Sequence, residues 1–283
     1  MAERIFCCEQ NADEPMIGTA DRVDVWVLLE YKPTWKAKAL ADNSLDADTR
    51  AWLDDNLAAL ENAGLKARPQ FIRRPELDCD ATQLFVATAQ GLFGAAGVGY
   101  EFLQQIRLPD VVAGPGSLER VEAPRYFVCT NGQRDVCCAR YGLPIYAGLR
   151  ERVGDRVWQI THLGGHRFAP NVLVLPRGAL YGRLAEPGLD DFVARTEAGE
   201  LAFDWLRGRS GLAPAAQAAE ALLRRPDLSS PRVVEAGDGL WEVTFDSPAG
   251  SVTCRVRRSA QPRAVLKSCA DEEPKPVTPF LPG

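Results

Sequence analysis

Strand-like and helix-like stretches alternate along the first part of the chain. Residues 23–31 (VDVWVLLEY) form a nearly continuous apolar run of β-branched and aromatic side chains, which is typical of a strand buried on both faces. A helix is predicted next, because apolar residues recur at helical spacing between Asp46, an N-capping residue, and Gly64, a helix-ending residue. Two more strands are predicted at residues 65–72 and 83–88, and a glycine-rich turn is predicted at residues 91–99.

The same order of elements returns after a segment that is rich in proline and glycine. This segment, residues 108–123, is interpreted as a linker. Beyond it we predict a strand (125–128), a loop (129–138), a helix (139–152) and two further strands (156–161 and 171–175). The likeness lies in the order of the elements and not in residue identity, and it favours two similar α/β lobes.

The C-terminal third has a different pattern. Helices are predicted at 189–200 and 214–225, followed by a β-hairpin whose strands, 241–245 and 251–257, flank a Pro-Ala-Gly turn. Four prolines from Pro274 onward favour an extended strap over a helix. The predicted fold class is α/β. The chain is predicted to divide into three domains. Residues 1–115 form an N-terminal lobe, residues 120–188 form a second lobe, and residues 189–283 form helices, a β-hairpin and a proline-rich tail.

Composition and charge narrow the classes of function. A hydrophobic content of 46%, a charged content of 25% and a net charge of −5 describe an ordinary globular protein. Its basic pairs are short and scattered, so we expect no nucleic-acid partner. The first residues lack the basic start and apolar run of a secretory signal, and no stretch reaches the roughly 18 apolar residues of a membrane span. We expect a cytoplasmic protein without a membrane partner, whose eight cysteines indicate metal or redox chemistry more than disulfides.

Both histidines of the chain lie in one five-residue stretch, His162-Leu-Gly-Gly-His166. The paired glycines favour a tight loop directly after a strand. Cys129 and Cys138 bracket the polar loop between another predicted strand and the start of a helix, where the helix N-terminus favours a thiolate. Two loops at the same end of one sheet are expected to meet, so two cysteines and two histidines converge on a predicted metal or cluster site.

Spacing leaves the type of site open. The first possibility is a zinc-stabilised binding module, because zinc accepts two cysteines and two histidines in a tetrahedron, although these cysteines lie further apart than in most zinc sites. An iron–sulfur cluster is the second possibility. Cys137, next to Cys138, is a rival ligand, and a thiol oxidoreductase that uses Cys137 or Cys138 is the third.

The residues of these two loops resemble the paired signature of a known family. The segment 129–138, with Gln133-Arg134-Asp135 inside it, and the segment 160–171 (ITHLGGHRFAPN) are similar to the sucrase/ferredoxin-like family, which is related to thioredoxin-like ferredoxins. The likeness runs over at least residues 5–185. It implies a thioredoxin-like scaffold and a [2Fe-2S] cluster, and it carries the ligand roles over to Cys129, Cys138, His162 and His166.

The implied function is electron transfer or redox sensing rather than a named catalytic activity, with a donor and an acceptor that the sequence does not identify. Two neutral imidazoles in place of two thiolates are expected to raise the reduction potential above that of an all-cysteine ferredoxin. If their outer nitrogens titrate, electron transfer is coupled to a proton. The residues expected to orient the ligands or balance their charge are Arg134, Asp135, Gly164, Gly165 and Arg167.

Overall fold

The computed structural model describes residues 6–77, 79–114, 116 and 118–283. Pro115 of the predicted linker and the first five residues lie outside this description. The helices are α1 (Cys7–Gln10), α2 (Ala47–Asn62), α3 (Leu108–Ala113), α4 (Val136–Val153), α5 (Leu189–Glu197) and α6 (Pro214–Leu223). The strands are β1 (Val25–Glu30), β2 (Ala67–Arg73), β3 (Ala81–Thr88), β4 (Gly91–Val98), β5 (Glu119–Arg120), β6 (Arg125–Cys129), β7 (Val157–Ile160), β8 (Val172–Leu175), β9 (Ala179–Tyr181), β10 (Leu206–Arg209), β11 (Ser229–Glu235), β12 (Leu240–Ser247), β13 (Gly250–Arg258), β14 (Arg263–Val265), β15 (Lys275–Val277) and β16 (Phe280–Pro282).

Ten strands form one mixed sheet in the order β10-β9-β8-β6-β7-β2-β1-β3-β4-β5. In the first half, β1 and β2 are parallel and joined through α2, β3 is antiparallel to β1, and β4 is antiparallel to β3. The second half repeats this arrangement with β6, α4, β7, β8 and β9. The halves meet at β2 and β7, where Ile72 lies opposite Ile160 in an antiparallel pair. The predicted α/β class is confirmed, and so is the prediction that one order of elements occurs twice.

The first strand and helix form for the reasons that the sequence pattern indicates. All six residues of β1 are buried, and its alternate side chains enter two different cores. Val27 belongs to the core that contains Leu53 of α2, whereas Trp26 belongs to the core that contains Phe127 and Trp158 of the second lobe. Asp46 caps α2, because its Oδ1 accepts a hydrogen bond of 2.8 Å from the backbone N–H of Thr49.

Two predicted irregular segments are regular in the structure. The glycine-rich stretch 91–99 is not a turn, since β4 pairs with β3 over its whole length and buries Leu92 and Phe93. A glycine is needed inside this strand because a Cβ at Gly97 would lie 2.6 Å from the ring of Phe102. The predicted linker 108–123 begins with α3, whose Leu108 and Val111 are buried, so the linker prediction is wrong for that part.

The predicted C-terminal part, 189–283, contributes to a ten-stranded, a four-stranded and a two-stranded sheet. α5 packs its Phe192 against Tyr126 and Tyr181 of the second lobe, and β10 pairs with β9. The rest forms an antiparallel sheet, β11-β12-β13-β16, which packs on α6. The predicted hairpin corresponds to β12 and β13. The proline-rich tail is extended: β15 pairs with β14 in the two-stranded sheet, and β16 lies at the edge of the four-stranded sheet. Among the described residues, no helix combines the length and the apolar character needed to cross a membrane.

Candidate metal centre

Parallel pairing of β6 and β7 brings the two predicted site loops together. Cys129 is the last residue of β6 and lies opposite Ile160, the last residue of β7. The chain leaves both strands at the same end of the sheet. From β6 it passes to the first turn of α4, which holds Cys138, and from β7 it passes to His162 and to the single 3-10 turn that begins at His166. The four side chains predicted from the sequence therefore meet.

These four side chains lie close together and are largely shielded from solvent. Ligand atoms of Cys129, Cys138 and His162 all lie within 4.8 Å of one another. The Sγ atom of Cys138 lies 3.4 Å from Nδ1 of His166. The two imidazole rings are stacked, with their centroids 4.1 Å apart and their planes inclined by 18°. Both cysteines are 1% exposed and His166 is 8% exposed, whereas His162 is half-buried, so His162 is the member of the group nearest to solvent.

The pKa values of the two buried thiols are shifted in opposite directions. The hydrogen bond from Cys138, together with one from His162, holds the pKa of Cys129 well below its usual value, although burial opposes this shift. The same thiol–thiol contact raises the pKa of Cys138. Burial, reinforced by the charge of His162, lowers the pKa of His166 to about 4. The lowered pKa of Cys129 favours its thiolate form, and a pKa of about 4 keeps the His166 imidazole unprotonated at neutral pH; these are the forms that bind metals.

Cys137 and Cys138 contact different groups of side chains. Cys138 faces the histidines, whereas the sulfur of Cys137 contacts the sulfurs of Cys7, Cys8 and Cys269. Consecutive residues of a helix point about 100° apart, which explains the separation. The rival ligand of the sequence analysis is thus placed outside the group formed by Cys129, Cys138, His162 and His166.

The histidine loop has left-handed backbone at both of its glycines. The φ angles of Gly164 and Gly165 are +86° and +69°, a region that favours glycine. A Cβ on Gly165 would lie 2.6 Å from the guanidinium of Arg207. The N–H of Gly164 donates to Nδ1 of His162 at 3.4 Å, and the N–H that contacts the sulfur of Cys129 belongs to Leu163.

Arg207, in β10, is the supporting residue that the sequence analysis missed. It is 2% exposed, and its guanidinium donates to Gly164 O at 3.0 Å, to Asn171 Oδ1 at 2.8 Å and to Thr19 O at 2.8 Å. Burial lowers its pKa to about 9, so it stays charged near neutral pH. Asn171 extends the same network, because its Nδ2 donates to Gly165 O at 2.9 Å. Nothing near Arg207 in the sequence points to this role, since it lies more than 40 residues from the histidines.

The other predicted supporting residues have different surroundings. Asp135 is buried and caps α4, since its Oδ1 accepts from the backbone N–H of Cys137 at 2.9 Å. Arg134 is exposed and lines a cavity of about 280 Å³ beside His162. Arg167 forms an ion pair of 2.7 Å with the buried Glu14, and thereby holds the N-terminal segment against the histidine loop.

The comparison with protein families agrees with the resemblance of the two loops. The sucrase/ferredoxin-like family matches residues 16–208, about two thirds of the chain and almost the whole ten-stranded sheet. The chain belongs to the sucrase/ferredoxin-like family. A thioredoxin-like [2Fe-2S] ferredoxin from Aquifex aeolicus, known from a solved structure, matches with 19% sequence identity and a TM-score of 0.27, covering 30% of this chain and 91% of its own. No curated protein matches the chain.

Proposed function

We propose that this protein transfers or senses single electrons through a [2Fe-2S] cluster held by Cys129, Cys138, His162 and His166. The observation that supports the proposal most strongly is that both histidines of the chain meet two buried thiols at one end of the sheet. Family membership supports it further. The donor set suits the cluster, since thiolate and imidazole are the ligands that [2Fe-2S] centres use.

The protonation states fit this role. Ligands must lose their protons to bind a metal, so groups that are already unprotonated at neutral pH bind most readily. The pKa of Cys129 is lowered by the hydrogen bond from Cys138, and the pKa of His166 is lowered by burial. Both shifts favour the deprotonated forms that bind a metal cofactor. Once bound, the cluster would supply one-electron oxidation and reduction.

His162 gives the buried group its contact with solvent. Because its ring is half-buried while the thiols are almost fully enclosed, electrons and protons have their shortest route at the imidazole edge. We infer proton-coupled transfer, in which an imidazole gains a proton when the centre gains an electron. The redox partners would then act at the surface next to His162. All eight cysteines are free, which supports a reducing compartment, and we propose the cytoplasm.

A zinc site remains the second candidate, because one observation favours it. Ligand atoms of Cys129, Cys138 and His162 lie within 4.8 Å of one another, a span that also suits one tetrahedral ion. Thiol catalysis by Cys137 or Cys138 is disfavoured, since the two side chains are 0% and 1% exposed and have no free approach for a substrate.

Purification without oxygen tests the proposal. We expect a red-brown protein with two iron and two acid-labile sulfide ions per chain, and a colourless zinc protein would refute it. The reduction potential is expected to fall as pH rises between about 6 and 9, by up to roughly 59 mV per unit for one proton per electron. A potential that is flat over this range would refute the coupling but not the cluster.

A further inference from the structure

A second group of cysteines lies next to the first. The sulfur of Cys137 is 3.1 Å from that of Cys269, 3.2 Å from that of Cys8 and 3.6 Å from that of Cys7. The sulfurs of Cys269 and Cys7 are 3.5 Å apart. These residues come from three separate segments, with up to 262 residues between partners. The sulfur of Cys137 thus contacts the other three, and a group of four thiols around one sulfur is a donor set for a metal, not a usual way to fill a core.

The sulfur spacing distinguishes between kinds of metal centre. In a tetrahedral zinc–thiolate site with bonds of about 2.3 Å, neighbouring sulfurs lie about 3.8 Å apart. The separations of 3.1 to 3.6 Å around Cys137 are slightly shorter than this. A polynuclear iron–sulfur cluster places several ions between its cysteines, which would keep the four sulfurs out of contact. A disulfide needs about 2.05 Å, and all four cysteines are free.

We propose that Cys7, Cys8, Cys137 and Cys269 bind one zinc ion in a tetrahedral thiolate site. Asp135 is the nearby alternative ligand, within 4.8 Å of three of these residues. However, its oxygens already accept hydrogen bonds from the backbone N–H groups of Cys137 and Cys269 and from the hydroxyl of Ser268. Asp135 therefore positions two of the cysteines, and Cys8 completes the ligand set.

The position of this second site indicates that it stabilises the fold. The N-terminal helix α1 has four residues, and the segment that holds Cys269 has no regular secondary structure. The apolar contacts around them are few, and three of the four buried members of that cluster are cysteines. One zinc ion would join both segments to the start of α4, the helix that also positions Cys138. Since metal binding contributes folding free energy, the ion would stabilise the support of the redox centre.

Metal analysis of single variants tests this site separately from the redox centre. We expect about one zinc per wild-type chain, and a roughly tenfold or greater loss of zinc in Cys7→Ser and Cys269→Ser with the visible spectrum retained. Cys79→Ser and Cys254→Ser are matched controls, because these thiols lie outside both groups, and they should keep the zinc. Cys129→Ser should lose iron and keep zinc.

Cobalt in the wild-type protein provides a measurement that needs no variant. Protein produced with cobalt in place of zinc should show the absorption of tetrahedral thiolate-bound cobalt, in addition to the spectrum of the redox centre. Three results would overturn the proposal. They are wild-type protein without zinc, zinc that survives both Cys7→Ser and Cys269→Ser, and a disulfide that joins any two of the four cysteines in a non-reducing peptide map.

Discussion

Cys137 and Cys138 are consecutive in the chain, but their sulfur atoms belong to two different groups. The Cys138 sulfur lies 3.4 Å from Nδ1 of His166, and the Cys137 sulfur lies 3.1 Å from the sulfur of Cys269. The first turn of α4 is therefore shared by the proposed redox centre and the proposed zinc site. Each replacement should affect one metal and not the other.

Serine replacements at these two positions should have opposite effects. Cys138→Ser should lose iron and visible absorption, because it removes a thiolate from the group that contains both histidines. Cys137→Ser should keep the absorption and lose zinc. Metal content and absorption spectra of the two purified variants check this. If Cys137→Ser lost the iron instead, the assignment of the ligand would be reversed.

Gly165→Ala should destabilise the protein more than Gly64→Ala does. The φ angles of the two glycines are +69° and +76°, so alanine costs about 1 kcal/mol of backbone strain at either site. At Gly165 the new Cβ would also lie 2.6 Å from Arg207, whereas nothing lies within 4 Å at Gly64. Crowding should add roughly 1 to 3 kcal/mol to the loss of unfolding free energy. Denaturant titration of the two variants measures the difference, and equal losses would show that Arg207 yields freely.

Arg207→Leu should affect both stability and redox behaviour. The change leaves Gly164 O, Thr19 O and the Asn171 side chain without a buried donor, at a cost of about 3 kcal/mol in unfolding free energy. It also removes a positive charge beside the centre, so the reduction potential should fall. Arg177→Leu is the control, since Arg177 is exposed. An unchanged potential in Arg207→Leu would mean that the guanidinium only supports the loop.

Metal-free protein should lose stability in mild acid because of His166. Its pKa is about 4 in the folded state and 6.5 in the unfolded state, so the unfolded state binds more protons between these values. The contribution of this group to the unfolding free energy is therefore complete above pH 6.5. It is lost as the pH falls from 6.5 to about 4, and the loss is on the order of 3 kcal/mol. His166→Gln should flatten this part of the profile. Denaturant titrations of both proteins across the range check it, and parallel profiles would contradict the explanation.

Local pattern was sufficient to predict the elements around the redox centre. The apolar run at 23–31 marks β1 because the strand is buried on both faces, and Asp46 marks the start of α2 because its side chain caps it. The glycines of β4 predict a turn instead of a strand, because composition does not show that Phe102 packs against Gly97.

Contacts between distant segments could not be predicted. The four ligands of the proposed redox centre lie in two short motifs, whereas Cys7, Cys8 and Cys269 reach Cys137 only because the segments that hold them fold onto α4. Arg207 likewise reaches the histidine loop from β10, which follows two further strands and a helix. No local sequence pattern predicts the cysteine contacts or the Arg207 contact, since both depend on how the whole sheet is assembled.

The nitrogen couplings of the reduced centre test the central claim most directly. Pulsed electron paramagnetic resonance on protein with nitrogen-15 histidine should show two strongly coupled imidazole nitrogens, because the chain has only His162 and His166 to supply them. Replacing either histidine should remove one coupling or the whole signal. A reduced centre with no histidine coupling, or a protein with no paramagnetic reduced state at all, would contradict the proposed ligand set.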